Sequence, residues 1–403
     1  SGKTVLAAHI IGRLRRPTLF FVHTRDLLYQ TRNMLEGVLG IPIGQIGDGT
    51  VDIRDVTVGT IQTCSRALGL SQARDAEGES SDSELEEESP GEEPELLPER
   101  VEQITQLLRT VSVAIFDECH HIPAETSYLL ALNLPKAVFR FGLSATPYRS
   151  DRQDMLIEAA LGERLISINA SYLIERQHLV PPHITFFVMQ GGEGNQGRTY
   201  HEVYQREIVE NDKRNQFAAE IARKFLSQNK TVLILVGQIK HGARLASLLP
   251  EAVFLTGRDS STVRNEALDG LRDRTKPLII ATTLADEGLD IPSLDVLILA
   301  GGGRSETRAL QRIGRALRPA KDKTKAYIVD FFDEARFLSE HSKSRIEIYE
   351  TERYFQMEMI NPWTGKNLSL EEFSSGSSRT PQQTSLLPDT PKKRRARRPQ
   401  PSL

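Results

Sequence analysis

The sequence predicts an α/β protein built on two tandem parallel sheets. Three observations lead there. Short runs rich in β-branched and aromatic residues alternate with stretches of helical period. Several of those runs are apolar on both faces, as strands inside a parallel sheet are. The chain's 403 residues, at roughly 150 per domain, leave room for more than one core.

In chain order, strands are expected at 18–22, 56–58, 113–116 and 139–143, and then at 184–188, 231–236, 278–281, 296–300 and 326–330. Each run is four to six residues of mostly Val, Ile, Leu, Phe and Thr, or shorter where a glycine follows. Helical patterns at 25–35, 213–227, 241–249 and 261–271 separate them. The stretch 168–180 carries neither pattern and is expected to bridge two lobes, 1–168 and 169–335. The polar segment 191–197 reads as a loop of the second lobe, and 336–373, with Trp363, as a helical extension. No repeat of solenoid period is present.

Composition narrows the function classes. No apolar run approaches the roughly 18 residues that a membrane span requires, so no membrane partner is expected. A secretory signal pattern is also absent, and a chain that opens on Ser1 rather than Met reads as a fragment. Two cysteines, Cys64 and Cys119, cannot frame a disulfide scaffold or a four-cysteine zinc site. A reduced, cytoplasmic protein is the expectation.

The net charge of −3 conceals two opposed blocks. Residues 71–100 hold twelve acids and two bases, and residues 374–403 hold seven bases and one acid. The acidic block is too poor in apolar residues to offset its ordering entropy and reads as a disordered insertion in the first lobe. A DNA-mimicking role is the alternative to a solvated insert. The tail from 374, ending in KKRRARR, is compositionally disordered as well. It would add phosphate contacts, serve as a localisation signal, or simply solubilise, and either block could recruit a protein partner.

Chemistry-bearing motifs begin at the first residue. Ser1-Gly2-Lys3-Thr4, followed by the apolar helical run 5–11, is the second half of a G-x-x-x-x-G-K-[ST] phosphate loop. In such a loop Lys reaches the β- and γ-phosphates and the Ser/Thr hydroxyl binds Mg²⁺. Four residues alone match often by chance, and Lys3 could equally be an exposed terminal lysine. The second motif supplies the specificity. The apolar strand ending at Phe116 runs into Asp117-Glu118-Cys119-His120, 114 residues after Lys3. Two carboxylates at the C-terminal end of a buried strand stand where α/β sheets hold ligands. Asp117 could bind Mg²⁺, and Glu118 could orient and deprotonate an attacking water. A zinc reading of Cys119, His120 and His121 fails because consecutive residues cannot converge on one ion.

With these two motifs the chain resembles the superfamily 2 DEAD/DEAH-box helicases of the DECH type. Further motifs follow in order. Thr24-Arg25-Asp26-Leu27-Leu28 is similar to motif Ia, and Val58-Gly59-Thr60 to the TxG-type element. Ser144-Ala145-Thr146-Pro147 is similar to motif III. Thr282-Thr283 with Glu287-Gly288-Leu289-Asp290 is similar to motif V. Gln311-Arg312-Ile313-Gly314-Arg315-Ala316-Leu317-Arg318 is similar to motif VI. The likeness spans residues 1 to about 332, and DECHHIPAETSY, VENDKRN and QRIGRALRP read most like the XPB-like, UvsW-like and restriction-motor branch.

The resemblance implies two RecA-like lobes with an ATP cleft between them. It implies ATP and Mg²⁺ held by Gly2, Lys3 and Thr4, with Asp117 on the metal and Gly288 and Asp290 near the nucleotide. Arg315, Arg318 and Gln311 would reach the γ-phosphate from the second lobe. His120, Ser144 and Thr146 would couple nucleotide state to lobe motion. Thr24, Arg25, Gly59, Thr60 and Thr282 would touch the nucleic-acid backbone. Each motif also has a plain reading: a helix cap at Thr24, a strand-to-helix turn at Gly59–Thr60, turn capping at Ser144 and Thr146, and a basic surface at Arg315 and Arg318. The expected function is an ATP-dependent helicase or translocase, with DNA favoured by the resemblance. The alternatives are a duplex translocase subunit of a restriction or remodelling complex, or a nucleic-acid-binding fragment inactive because its phosphate loop is truncated.

Overall fold

The computed structural model describes residues 2–70, 96–144, 154–191, 199–282, 294–302, 313–314, 316–320 and 323–368. Two sheets form, both predominantly parallel. The first has six strands: β1 Thr18–Val22, β2 Gly44–Gly47, β3 Thr50–Asp52, β4 Val56–Thr60, β5 Val113–Asp117 and β6 Phe139–Leu143. Their order is β3-β2-β4-β1-β5-β6, with only β3 antiparallel to its neighbour. Helices α1 Lys3–Leu14, α2 Arg25–Leu39, α3 Ile61–Ala67, α4 Pro98–Thr110, α5 Glu125–Leu132 and α6 Asp154–Leu161 cover it.

The central strand explains the unbroken apolar runs. In β1, Phe20 and Val22 pack with Ala7, Ala8 and Ile11 of α1 and Leu28 and Leu35 of α2. Leu19 and Phe21 face the opposite core with Ile104 and Leu108 of α4. Every residue of β1 is buried, so no polar alternation is available to read. At roughly 25 cal/mol per Å² of apolar surface, such a residue contributes about 1.5–3 kcal/mol to folding.

The second sheet has eight strands: β7 Pro182–Met189, β8 Val232–Leu235, β9 Val253–Leu255, β10 Leu278–Ala281, β11 Val296–Leu299, β12 Ala326–Asp333, β13 Gln356–Ile360 and β14 Asn367–Leu368. They run β14-β13-β7-β12-β11-β8-β10-β9, with β14 antiparallel at the edge. The helices here are α7 Ala170–Glu175, α8 Tyr200–Tyr204, a π-helical turn Gln205–Val209, α9 Asp212–Ser227, α10 Ile239–Leu248, α11 Ser261–Arg272 and α12 Leu338–Glu350. Helices α9 and α10 pack on one face through Ala218, Ala222 and Leu245. Helices α11 and α12 pack on the other through Ala267, Leu271, Ile346 and Tyr349.

Three expectations are corrected. The stretch 336–373 is not a helical extension: after α12 it returns as β13, which pairs in parallel with β7 and enlarges the sheet. Its sequence, QMEMI, alternates polar with apolar residues, and the strand is only partly buried although β14 pairs with its outer side. The acidic block ends earlier than its composition suggested, because Pro98 opens α4 and residues 98–100 are helical. Residues 71–95 lie outside the described residues, as do 192–197 of the expected loop and the tail. The stretch 168–180, expected to bridge the lobes without a regular element, contains α7, and the buried Glu352 holds the start of that helix. That carboxylate accepts from Ala170 N at 3.1 Å, Ser171 N at 2.8 Å and Ser171 Oγ at 2.7 Å.

Candidate active site

Helix α1 starts abruptly. Gly2 is its exposed N-cap, carries no capping side chain, and is followed by a first turn without an acid. The first amide N–H groups of a helix have no intrahelical partner, and together with the helix dipole they favour an anion. Lys3 lies in that first turn. Its ammonium stands between the two carboxylates that end β5, bonded to Glu118 Oε1 and 3.3 Å from Asp117 Oδ1.

The chain leaves β5 under strain. Glu118 sits in the left-handed region, φ 46° and ψ 52°, where a non-glycine residue costs about 1–2 kcal/mol. A short 3₁₀ turn, Cys119–His121, follows and fixes the exit. Asp117 Oδ1 accepts from Glu118 N at 3.0 Å. Glycine at 142 lets β6 lie close to this turn, since a Cβ there would stand 2.9 Å from Cys119 Sγ.

The two carboxylates are driven apart electrostatically. Burial, with the neighbouring Glu118 charge, raises the Asp117 pKa despite Lys3. Burial also works to raise Glu118, but the His120 ring and the Lys3 ammonium outweigh it and hold the carboxyl at about 2. One oxygen, Glu118 Oε2, is buried without a hydrogen bond. His120 Nδ1 lies 3.4 Å from that oxygen, but its hydrogen bond runs to Ser144 Oγ at 3.0 Å. His120 and Ser144, read from the sequence as coupling residues, are thus brought together; Thr146 lies outside the described residues.

Two residues beyond the sequence reading join this end of the sheet. The His121 ring lies tilted against its neighbours, its centroid 4.2 Å from that of His120 and 4.5 Å from that of His23, which follows β1. Burial, and then the charge of His120, press the His23 pKa down to about 4. The signal was the run Cys119-His120-His121, read only as a rejected metal motif. Cys119 is not a nucleophile, because burial pushes its thiol up to about 11.

The remaining expected residues divide. Thr24 caps α2, accepting from Leu27 N at 3.3 Å, and the exposed Arg25 pairs with Asp48 Oδ1 at 3.2 Å. Gly59 and Thr60, expected to present backbone and hydroxyl to a phosphate, are both buried inside β4. A Cβ at Gly59 would meet Cys64 Sγ at 3.2 Å, so this glycine serves core packing. The Thr60 hydroxyl donates to Thr63 Oγ1 at 2.8 Å and caps α3. Thr282 is buried at the end of β10, its N–H donating to Leu255 O at 3.1 Å. Arg318 is half-buried, and burial lowers its pKa. Gly288, Asp290, Gln311 and Arg315 lie outside the described residues.

The donor set fits Mg²⁺ bound together with a phosphate. No cluster of three or more His, Cys, Asp or Glu among the described residues could hold a metal alone. Mg²⁺ commonly takes one or two carboxylates plus phosphate oxygens and water. Asp117 is such a carboxylate, with the orphan oxygen of Glu118 on the next residue, and Thr4, next to Lys3 in α1, offers a hydroxyl. Chemically, a helix N-terminus, an ammonium and two carboxylates of different basicity can hold a polyphosphate and activate water against it.

Comparison with known proteins gives the same picture. A family model for the type III restriction enzyme, res subunit, matches residues 1–149, and one for the helicase conserved C-terminal domain matches residues 213–320. "Putative helicase 22" of Sulfolobus islandicus filamentous virus (isolate Iceland/Hveragerdi) is 28% identical over 270 residues, 62% of this chain and 48% of the viral protein. "Putative DNA 3'-5' helicase Rad25" of Halobacterium salinarum is 26% identical over 331 residues, 79% of this chain and 48% of that protein. The chain therefore spans about half the length of these relatives. A fragment of a putative HsdR subunit of a type I restriction enzyme from Vibrio vulnificus shares the fold, with TM-score 0.59, 16% identity, and coverage of 91% of this chain and 64% of that one. Among the described residues no helix is long and apolar enough to cross a membrane.

Proposed function

The chain belongs to the superfamily 2 helicases of the XPB, UvsW and restriction-enzyme type, and on that premise we propose that it is an ATP-driven motor that moves along DNA. The observation that carries the proposal is Lys3 at the N-terminus of α1, held between Asp117 and Glu118. We assign the first lobe to 1–168 and the second to the chain from 169, with β13 and β14 included in it.

In this reading the phosphates of ATP take Lys3 from its two carboxylates. Gly2 and the first-turn amides of α1 then hold the phosphate oxygens. Asp117 and Thr4 would hold Mg²⁺, which would supply charge neutralisation to the phosphates. Freed of Lys3, Glu118 keeps the His120 ring but loses the second of the two groups that depress its pKa, and the more basic carboxylate orients and deprotonates water. Arg318, with Gln311 and Arg315, approaches the γ-phosphate from the second lobe, and Gly288 and Asp290 complete the nucleotide contacts. His120 passes the state of Glu118 to Ser144 and so to the strand after β5. Thr24, Arg25 and Thr282 contact the nucleic-acid backbone, Arg25 by exchanging Asp48 for a phosphate. Two buried free cysteines suit a reducing compartment.

DNA is favoured because the Rad25 relative is named a DNA helicase. A second reading, translocation on duplex without strand separation, is favoured by the match to the restriction-enzyme res subunit over residues 1–149. The test is ATP hydrolysis with and without single-stranded and duplex DNA and RNA, at low and physiological salt. DNA-stimulated, salt-sensitive turnover is expected. Turnover that no nucleic acid stimulates would sink the motor reading, and stimulation by duplex alone would select the second.

A further inference from the structure

The helical turn at residues 313–314 and 316 carries Ile313, Ala316 and Leu317 into the core of the second lobe. Three successive carbonyls leave that turn, and each is held from outside it. Lys323 Nζ donates to Ala316 O at 2.5 Å and to Arg318 O at 3.0 Å. Val180 N, at the end of the bridge between the lobes, donates to Leu317 O at 2.8 Å. The last carbonyls of a helical turn are its negative end and otherwise lack partners, so an ammonium placed there is favoured by both hydrogen bonding and the dipole.

From this geometry we infer that Lys323 is a positioning residue for the reaction: it clamps the backbone on either side of Leu317 and so fixes where Arg318 stands. The inference rests on the motor reading, in which Arg318 serves the γ-phosphate. An ammonium that served only as a surface ion-pair partner would sit beside a free acid. The acid that faces Lys323, Asp295, is already occupied. Its Oδ2 accepts from Thr231 N at 3.1 Å, Thr231 Oγ1 at 3.3 Å and Arg274 Nη2 at 3.3 Å. Lys323 spends its donors on carbonyls instead.

The clamp has a pH signature. Burial brings the Lys323 pKa down to about 8; the Asp295 charge opposes that shift and the Lys230 charge adds to it. Below pH 8 the clamp is charged, and above it the charge is lost while a neutral amine still donates. An arginine at this position stays charged throughout that range.

The experiment compares the wild-type chain with Lys323→Met and Lys323→Arg, using DNA-stimulated ATP hydrolysis resolved into kcat and KM, a pH series across 8, and thermal melting. A misplaced catalytic group lowers kcat by about tenfold or more. Lys323→Met is therefore expected to lose about tenfold in kcat with KM for ATP changed less than about twofold. Lys323→Arg is expected to recover most of that loss. The wild type is expected to lose activity a few-fold as pH rises through 8, and the arginine variant is not. A methionine variant with wild-type kcat, or one altered only in KM, overturns the inference. An alkaline fall unchanged in the arginine variant does the same, even if the methionine variant does not fold. Absent turnover in the wild type, or wild-type turnover in Glu118→Gln, instead overturns the motor reading beneath it.

Discussion

At the end of β5 one ammonium, Lys3, serves two carboxylates, and one oxygen of Glu118 accepts nothing. Inside the second lobe the charges are arranged the other way. Arg345 donates from Nε and Nη2 to the two oxygens of Asp330 at 2.9 and 3.0 Å, and from Nη2 to Phe331 O at 3.0 Å. Arg214, fully buried, forks onto Asp333 at 2.9 and 3.2 Å and reaches Ala300 O at 2.6 Å. Shared and unsatisfied charges can change partners at little cost, whereas a saturated buried pair must lose several charge-assisted bonds at once. The first arrangement suits a site that exchanges ligands, and the second suits the frame that holds it.

The largest expected effect breaks the working side of that contrast. Glu118→Gln removes the charge with almost no change in volume and leaves Lys3 on Asp117. A lost general base costs about 10²–10⁴-fold in rate. Hydrolysis should fall by that much while the melting temperature stays near wild type. A loss of stability comparable to the loss of activity would place Glu118 in the frame.

Arg345→Met tests the frame. Breaking one partner of a buried ion pair strands the other, at roughly 3–5 kcal/mol. Urea unfolding should show a loss of that size, and Arg345→Met combined with Asp330→Leu should recover much of it. A single variant within 1 kcal/mol of wild type would show that the pair is exchangeable after all.

A third test uses acid. His241 is fully buried, donates from Nε2 to Asn215 Oδ1 at 2.8 Å, and leaves Nδ1 unbonded. Burial, then the charges of Arg214 and Arg244, depress its pKa from 6.5 to about 3. The unfolded chain therefore binds the proton first. Stability from this residue is fully present above pH 6.5 and is lost as pH falls toward 3, by on the order of a few kcal/mol. Urea midpoints at pH 7 and pH 4 should differ less in His241→Gln than in the wild type. An identical pH dependence would assign the acid loss to other groups.

The sequence made the strands of both cores legible because β1, β8 and β10 are buried on both faces and read as unbroken apolar runs. It missed β2 and β9, whose runs are only four and three residues long, and β13, which is only partly buried and alternates polar with apolar residues. Lys3, Asp117, Glu118, His120 and Ser144, which the fold brings together at the end of β5, stand out in the sequence because they fall in short motifs. Gly59 and Thr60 pack and cap in this structure, and a glycine and a hydroxyl serve those ends as readily as phosphate binding. Lys323 and Glu352 were invisible for another reason. Their partners are mostly backbone groups, brought to them only by the fold, and no residue pattern marks a carbonyl or an amide that awaits a side chain.

Glu352 gives the smallest effect and the sharpest boundary between the two kinds of charge. It is saturated like Asp330, with three bonds, yet it holds the start of α7 rather than a core strand. If saturation marks the frame, Glu352→Gln should act on stability and leave turnover nearly alone. A glutamine oxygen can accept one or two of these bonds but not all three, so one buried donor loses its partner, at about 1–3 kcal/mol. For a lobe of this size that corresponds to a melting shift of roughly 2–4 °C per kcal/mol, with kcat per folded molecule changed less than about twofold. The opposite result, full stability with kcat reduced tenfold, would mean that turnover requires the release of Ser171 from Glu352. Saturation would then no longer separate frame from machinery, and the contrast would have to be drawn by burial alone.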